Sequence, residues 1–99
     1  MSEQESRRQP LGMYGLRQGS DTAFCTQGLY ELFGVPPQEQ RGSHCPKEYL
    51  RQLLDSRLGD PDDGGLCRVA LADGEHYLLH RCEKMGGSVI GTVLDVTEA

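Results

Sequence analysis

The stretch from Leu66 to Val96 constrains the fold more than any other part of the chain. Its apolar residues recur with a period of two, and two turn signals cut it into three runs. Leu66–Ala72 (LCRVALA) reads as a strand, Asp73-Gly74 as a hairpin turn and Glu75–Lys84 as a second strand. Met85–Ser88 (MGGS) turns the chain again, and Val89–Val96 is a third strand. Consecutive strands joined this tightly form an antiparallel meander. The third is apolar on both sides, with Val89 and Val93 on one face and Ile90, Leu94 and Val96 on the other. A strand with one face in water alternates apolar with polar. Both faces of this strand therefore need cover: helices of the same domain on one, and the N-terminal leader or another chain on the other.

Residues 1–10 (MSEQESRRQP) form a polar leader. Residues 11–16 (LGMYGL) alternate and read as a first strand softened by glycine, 17–21 as a turn, and 22–26 (TAFCT) as a second strand closing a hairpin. Gln27 to Phe33 sets Leu29, Tyr30, Leu32 and Phe33 at helical spacing. Gly34 stands where a left-handed cap belongs, and Pro36 and Pro37 bar continuation. Pro37 can open a single turn through Gln40, ended by Gly42. Pro46 then opens the longest helix, whose apolar stripe is Tyr49, Leu50, Leu53, Leu54 and Leu58. Gly59 stops it, and 59–65 (GDPDDGG) is a loop by composition. The order is two strands, short helices, one main helix and three strands. It predicts a single α+β domain over residues 11–99.

Ninety-nine residues support one modest core. The net charge of -5, with basic residues scattered apart from Arg7 and Arg8, excludes a nucleic-acid surface. No apolar run reaches the length of a membrane span, and residues 1–10 lack the apolar stretch of a signal peptide, so a cytoplasmic protein is expected. Cys25, Cys45, Cys67 and Cys82 are widely spaced with no C-x-x-C pair, and without a secretion signal they read as reduced thiols.

No catalytic constellation appears, and the chain does not read as an enzyme. Ser43 beside His44 has no acid partner, the acidic stretch 60–63 reads as a solvated turn rather than a calcium loop, and no Lys-Ser/Thr follows Gly64-Gly65. His76, Leu78, His80 and Cys82 share a strand face by parity. Residues four apart on a strand are roughly 13 Å apart, too far for both histidines to hold one metal ion, so ordinary surface or groove side chains are expected. Asp95-Val96-Thr97-Glu98 has the form of a capping box, in which the Asp95 carboxylate accepts from the Glu98 N–H. It predicts a helix starting at Val96 or Thr97. So late a start signal is what a segment of a longer protein is expected to show.

The order of elements, with LYELFGVPPQE at 29–39, CRVALADGEHYLLHRCE at 67–83 and VIGTVLDVTEA at 89–99, resembles the PAS family. The matching features are the helix ending in Phe33-Gly34, the Arg68-to-Gly74 stretch before the next strand, and the Gly91-x-x-x-Asp95-Val96-Thr97-Glu98 ending. The resemblance implies a five-stranded antiparallel sheet ordered 2-1-5-4-3 with short helices over one face. It also implies a sensory or regulatory domain that binds a small ligand or partner and relays the signal to a downstream effector, of the diguanylate cyclase or histidine kinase class. Ligand-pocket candidates are Phe24, Leu29, Phe33, Leu50, Leu54, Val69, Leu71, Leu79, Ile90, Thr92 and Leu94, between the helices and the inner sheet face. Asp95, Thr97 and Glu98 are the candidate relay, acting by a population shift in the last strand.

No cofactor is assigned. Photosensory relatives carry N-C-R-F-L-Q, where this chain has His44-Cys45-Pro46-Lys47-Glu48-Tyr49, which argues against a flavin-reactive cysteine. Some relatives bind haem through a helical histidine, but His44 precedes the helix and His80 lies on a strand. The expected partner is a second copy, docked through the outer sheet face and the leader. Two other classes stand beside this reading: a ligand-free dimerisation or interaction module, and a small metal- or redox-binding protein using the four cysteines and three histidines.

Overall fold

The computed structural model of the chain describes residues 11–58, 65–71 and 73–97. Strands β1 (Leu11–Arg17) and β2 (Thr22–Cys25) form the first hairpin, followed by α1 (Gln27–Phe33) and a 3-10 turn at Pro37–Glu39. A three-residue strand β3 (His44–Pro46) leads into α2 (Lys47–Leu58), and the meander β4 (Gly65–Leu71), β5 (Gly74–Met85) and β6 (Ser88–Asp95) completes the fold. All six strands pair antiparallel in one sheet ordered β3-β2-β1-β6-β5-β4. The architecture is α+β. No helix among the described residues is long and apolar enough to cross a membrane.

Local chemistry sets the boundaries. Gly34 takes the left-handed conformation (φ 70°, ψ 30°) that ends α1. Gly74 and Gly86 supply the positive φ for the two tight turns of the meander. The expected loop at 59–65 lies outside the described residues, save Gly65, which opens β4.

The sheet has six strands rather than the expected five. The additional strand, β3, sits on the edge beside β2, with Ala23 opposite Cys45. Without it the order is β2-β1-β6-β5-β4, which is 2-1-5-4-3 in renumbered form. Tertiary bonds create β3, and no local pattern announces it. Tyr30 Oη donates to Gly42 O (2.7 Å) and accepts from Arg41 N–H (3.2 Å), while Cys25 N–H donates to Ser43 O (2.9 Å). These bonds hold residues 41–43 against the sheet, so the next three continue as strand. Pro46 accordingly closes β3, and α2 begins at Lys47.

Both helices cover one face of the sheet. The core between them is Tyr14, Ala23, Cys25, Cys45, Val69, Leu78 and Val93 from the strands, and Leu29, Tyr30, Leu32, Phe33, Leu50, Leu53, Leu54 and Leu58 from the helices. Gly12 is the point of closest approach, because a Cβ there would stand 2.6 Å from the Leu29 Cα. Only a residue without a side chain lets α1 lie this close to β1.

The strand parity is opposite to that expected for much of the sheet. On β5 the buried face carries Leu78 and His80, and on β6 it carries Gly91 and Val93. Phe24, Leu79, Ile90, Thr92 and Leu94, expected to line a pocket under the helices, occupy the outer face instead. A one-residue shift of parity exchanges every side chain of a strand between faces. The larger apolar residues of β6 suggested the inner face. The structure places the smaller set there, because an aromatic ring lies over Gly91.

Candidate functional site

Tyr14 is 2% exposed and projects from β1 across β6. Its register partner is Gly91, where an added Cβ would fall 2.1 Å from the ring carbons. The missing side chain makes room for the ring, whose Oη reaches His80 Nε2 on β5 at 2.7 Å. His80 is 1% exposed, and burial lowers its pKa from the ordinary histidine value. A neutral imidazole with a hydroxyl partner is the form such a site accommodates. His80 is therefore a buried, hydrogen-bonded part of the core, not the surface or groove side chain expected.

Beside this pair, α2 stands away from the sheet and leaves a cavity of about 280 Å³. Its apolar walls are Tyr14 and Leu16 from β1, Leu54 from α2 and Val89 from β6. Arg17, Lys47, Arg51 and Lys84 also line it, with Asp55 the one carboxylate, and the Gly86-Gly87 turn closes one end. Two bonds pin the start of α2 at this edge: Lys47 N–H to Asp21 O (2.8 Å) and Lys47 Nζ to Arg17 O (2.7 Å). Gln18 N–H to Gly87 O (2.7 Å) ties the end of β1 to the turn. Rigid backbone on two sides thus frames the opening.

At its far end β6 is tied to β5. Asp95 Oδ1 accepts from Thr97 N–H (2.9 Å), and Asp95 Oδ2 lies 3.0 Å from His76 Nδ1. The other nitrogen of His76 lies 2.8 Å from Asp73 Oδ1. Tyr77 N–H donates to Thr97 Oγ1 (2.7 Å), and Val96 N–H donates to Tyr77 O (2.9 Å). Val96 and Thr97 are irregular rather than helical: Asp95 caps the Thr97 N–H two residues on, and Thr97 extends the pairing to β5. The Glu98 half of the expected capping box lies outside the described residues.

Of the residues expected to line a pocket, only Leu54 borders this cavity. Leu29, Phe33, Leu50 and Val69 are packed core, and Leu71 is half-buried against it. Phe24 and Ile90 border a depression on the outer face, the former edge-on to His44 with ring centroids 6.0 Å apart. Sequence reasoning missed Tyr14 and the basic residues around the opening. The spacing of Lys47, Arg51, Leu54 and Asp55 on one helical face was the available signal.

All four cysteines are free thiols. Burial, reinforced by Cys25, pushes the Cys45 thiol up to about 11, so it stays protonated and poorly nucleophilic. Burial likewise raises Cys67. Among the described residues no cluster of three or more His, Cys, Asp or Glu could hold a metal ion.

Comparison with protein-family models, curated proteins and solved structures returns no match to this chain.

Proposed function

We propose that this chain is a PAS-like sensory domain that binds a small ligand between α2 and the inner sheet face and reports occupancy through β6. The observation that carries the reading is the path from cavity to exit: Val89 lines the cavity, and Asp95, six residues along the same strand, holds the bonds to His76 and Thr97. Tyr14 borders the cavity and touches β6 and β5 together, so a ligand that displaces its ring acts on both strands. Two arrangements of β6 with different ligand affinity suffice for signalling. The domain is not itself catalytic in this reading. It works in the cytoplasm, and an effector of the diguanylate cyclase or histidine kinase class converts the movement into output. The test is amide NMR of the chain titrated with a library of small metabolites. A binder should shift Leu54, Lys84 and Val89 together with Asp95, Val96 and Thr97. Saturable binding that moves the first group and leaves the second in place would overturn the relay.

The outer face favours a second reading, a dimerisation module. Leu11, Leu94, Leu79 and Leu66 stand directly opposite one another across four strands. Leu66 is 64% and Leu94 39% exposed. The nearby Arg68, Glu75, Arg81 and Glu83 balance in sign, on a chain with a net charge of -5. An apolar row flanked by balanced charge is self-complementary, as a two-fold interface requires. Sensing and dimerisation use opposite faces and are compatible.

A further inference from the structure

We infer that the ligand of the α2 cavity is a small organic carboxylate with an apolar body, an inference that rests on the ligand-binding reading above. Among the described residues of this acidic chain, four of the eight Lys and Arg border this one opening, against one of the nine Asp and Glu. A charged patch on a solvated helix face would mix both signs. Here the cations converge from three separate elements: Arg17 ends β1, Lys47 and Arg51 lie on α2, and Lys84 lies in the last, turn-proximal part of β5, beside Met85. Lys47 is already bound to a backbone carbonyl, which fixes its charge at the mouth. Among the described residues, Arg51 and Lys84 form no ion pair with a protein carboxylate, so their charge is available to a ligand.

Below the cations the surface changes character. The Tyr14 ring, Leu16, Leu54 and Val89 are apolar, and a second charge placed against them would lose its hydration without compensation. The site thus asks for one anionic end and one apolar end. A volume near 280 Å³ holds about ten to fifteen non-hydrogen atoms at ordinary packing density, which matches an aromatic or short aliphatic acid. Arg51 offers a planar fork that pairs a carboxylate through two N–H donors, and Lys84 adds a point charge.

The test compares benzoate and hexanoate with benzamide, hexylamine and inorganic phosphate, each titrated into the 99-residue chain and followed by amide NMR at Leu54, Lys84, Gly86 and Val89. The carboxylates should bind saturably at these residues. Benzamide should bind about tenfold more weakly, and the R51Q/K84Q double variant should weaken hexanoate by about tenfold while its circular dichroism and melting midpoint match the parent. If that variant fails to fold, raising the salt tenfold should give the same weakening in the parent. Benzamide or hexylamine matching the carboxylates would overturn the ligand class and leave the cavity as a binding site. Phosphate matching them would overturn the need for an apolar body. No compound of any charge shifting these residues would overturn the ligand-binding reading itself.

Discussion

The contact between Tyr14, Gly91 and His80 shows how one missing side chain organises a core. A Cβ at position 91 would overlap the Tyr14 ring, so the ring, buried and hydrogen-bonded to His80, must shift. G91A should therefore destabilise the fold by about 1–3 kcal/mol, measured as a fall in the urea midpoint, and should separate Tyr14 Oη from His80. His80 supplies a pH test. Its folded pKa is depressed, so the unfolded chain takes up a proton near pH 6.5 while the folded chain resists. Stability should be full above that pH, fall as the pH drops below it, and level off once the folded histidine also protonates. H80Q cannot titrate and should flatten this part of the curve, with the difference in melting midpoint between parent and variant as the readout. Neither feature was legible in the sequence. A glycine in a strand reads as a weak position, and His80 reads as polar and therefore outward. Only the tyrosine, 66 residues from His80 in the chain, makes each the right choice.

At the level of elements, the helices and turns follow from short-range chemistry and the faces of the strands do not. Gly34, Gly74 and Gly86 act through their own backbone angles, so a local reading finds them. β3 depends on Tyr30 reaching across to residues 41–42, and nothing local announces it. β5 and β6 carry apolar residues at both parities, and the choice of inner face is made by what α1, α2 and Tyr14 accept. The exit of β6 carries its own prediction. D95A removes the acceptor for Thr97 N–H and the partner of His76 Nδ1. The sheet should remain intact, with a loss of about 1–2 kcal/mol, while hydrogen exchange accelerates at Val96, Thr97 and Tyr77. Protection unchanged at those three amides would remove Asp95 from any role in coupling.

The molecule as a whole has two faces of different character. The inner face carries the core and the cavity, and the outer face carries the leucine row in which Leu79 is central. L79K adds a charge to that row without touching the core. It should turn a dimer into a monomer in sedimentation equilibrium while leaving the circular dichroism unchanged. A parent that is monomeric at millimolar concentration would defeat the dimerisation reading and leave the cavity untouched. The glycine beneath the Tyr14 ring has a last consequence for how the hairpins zip together. Sliding β6 by two residues along β1 would keep its greasy and bare sides where they are, but it would bring Val89 or Val93 under the aromatic ring. One alignment alone closes. Movement between these two strands is therefore confined to bending and tilting, and a piston-like stroke is forbidden by the shape of a single residue.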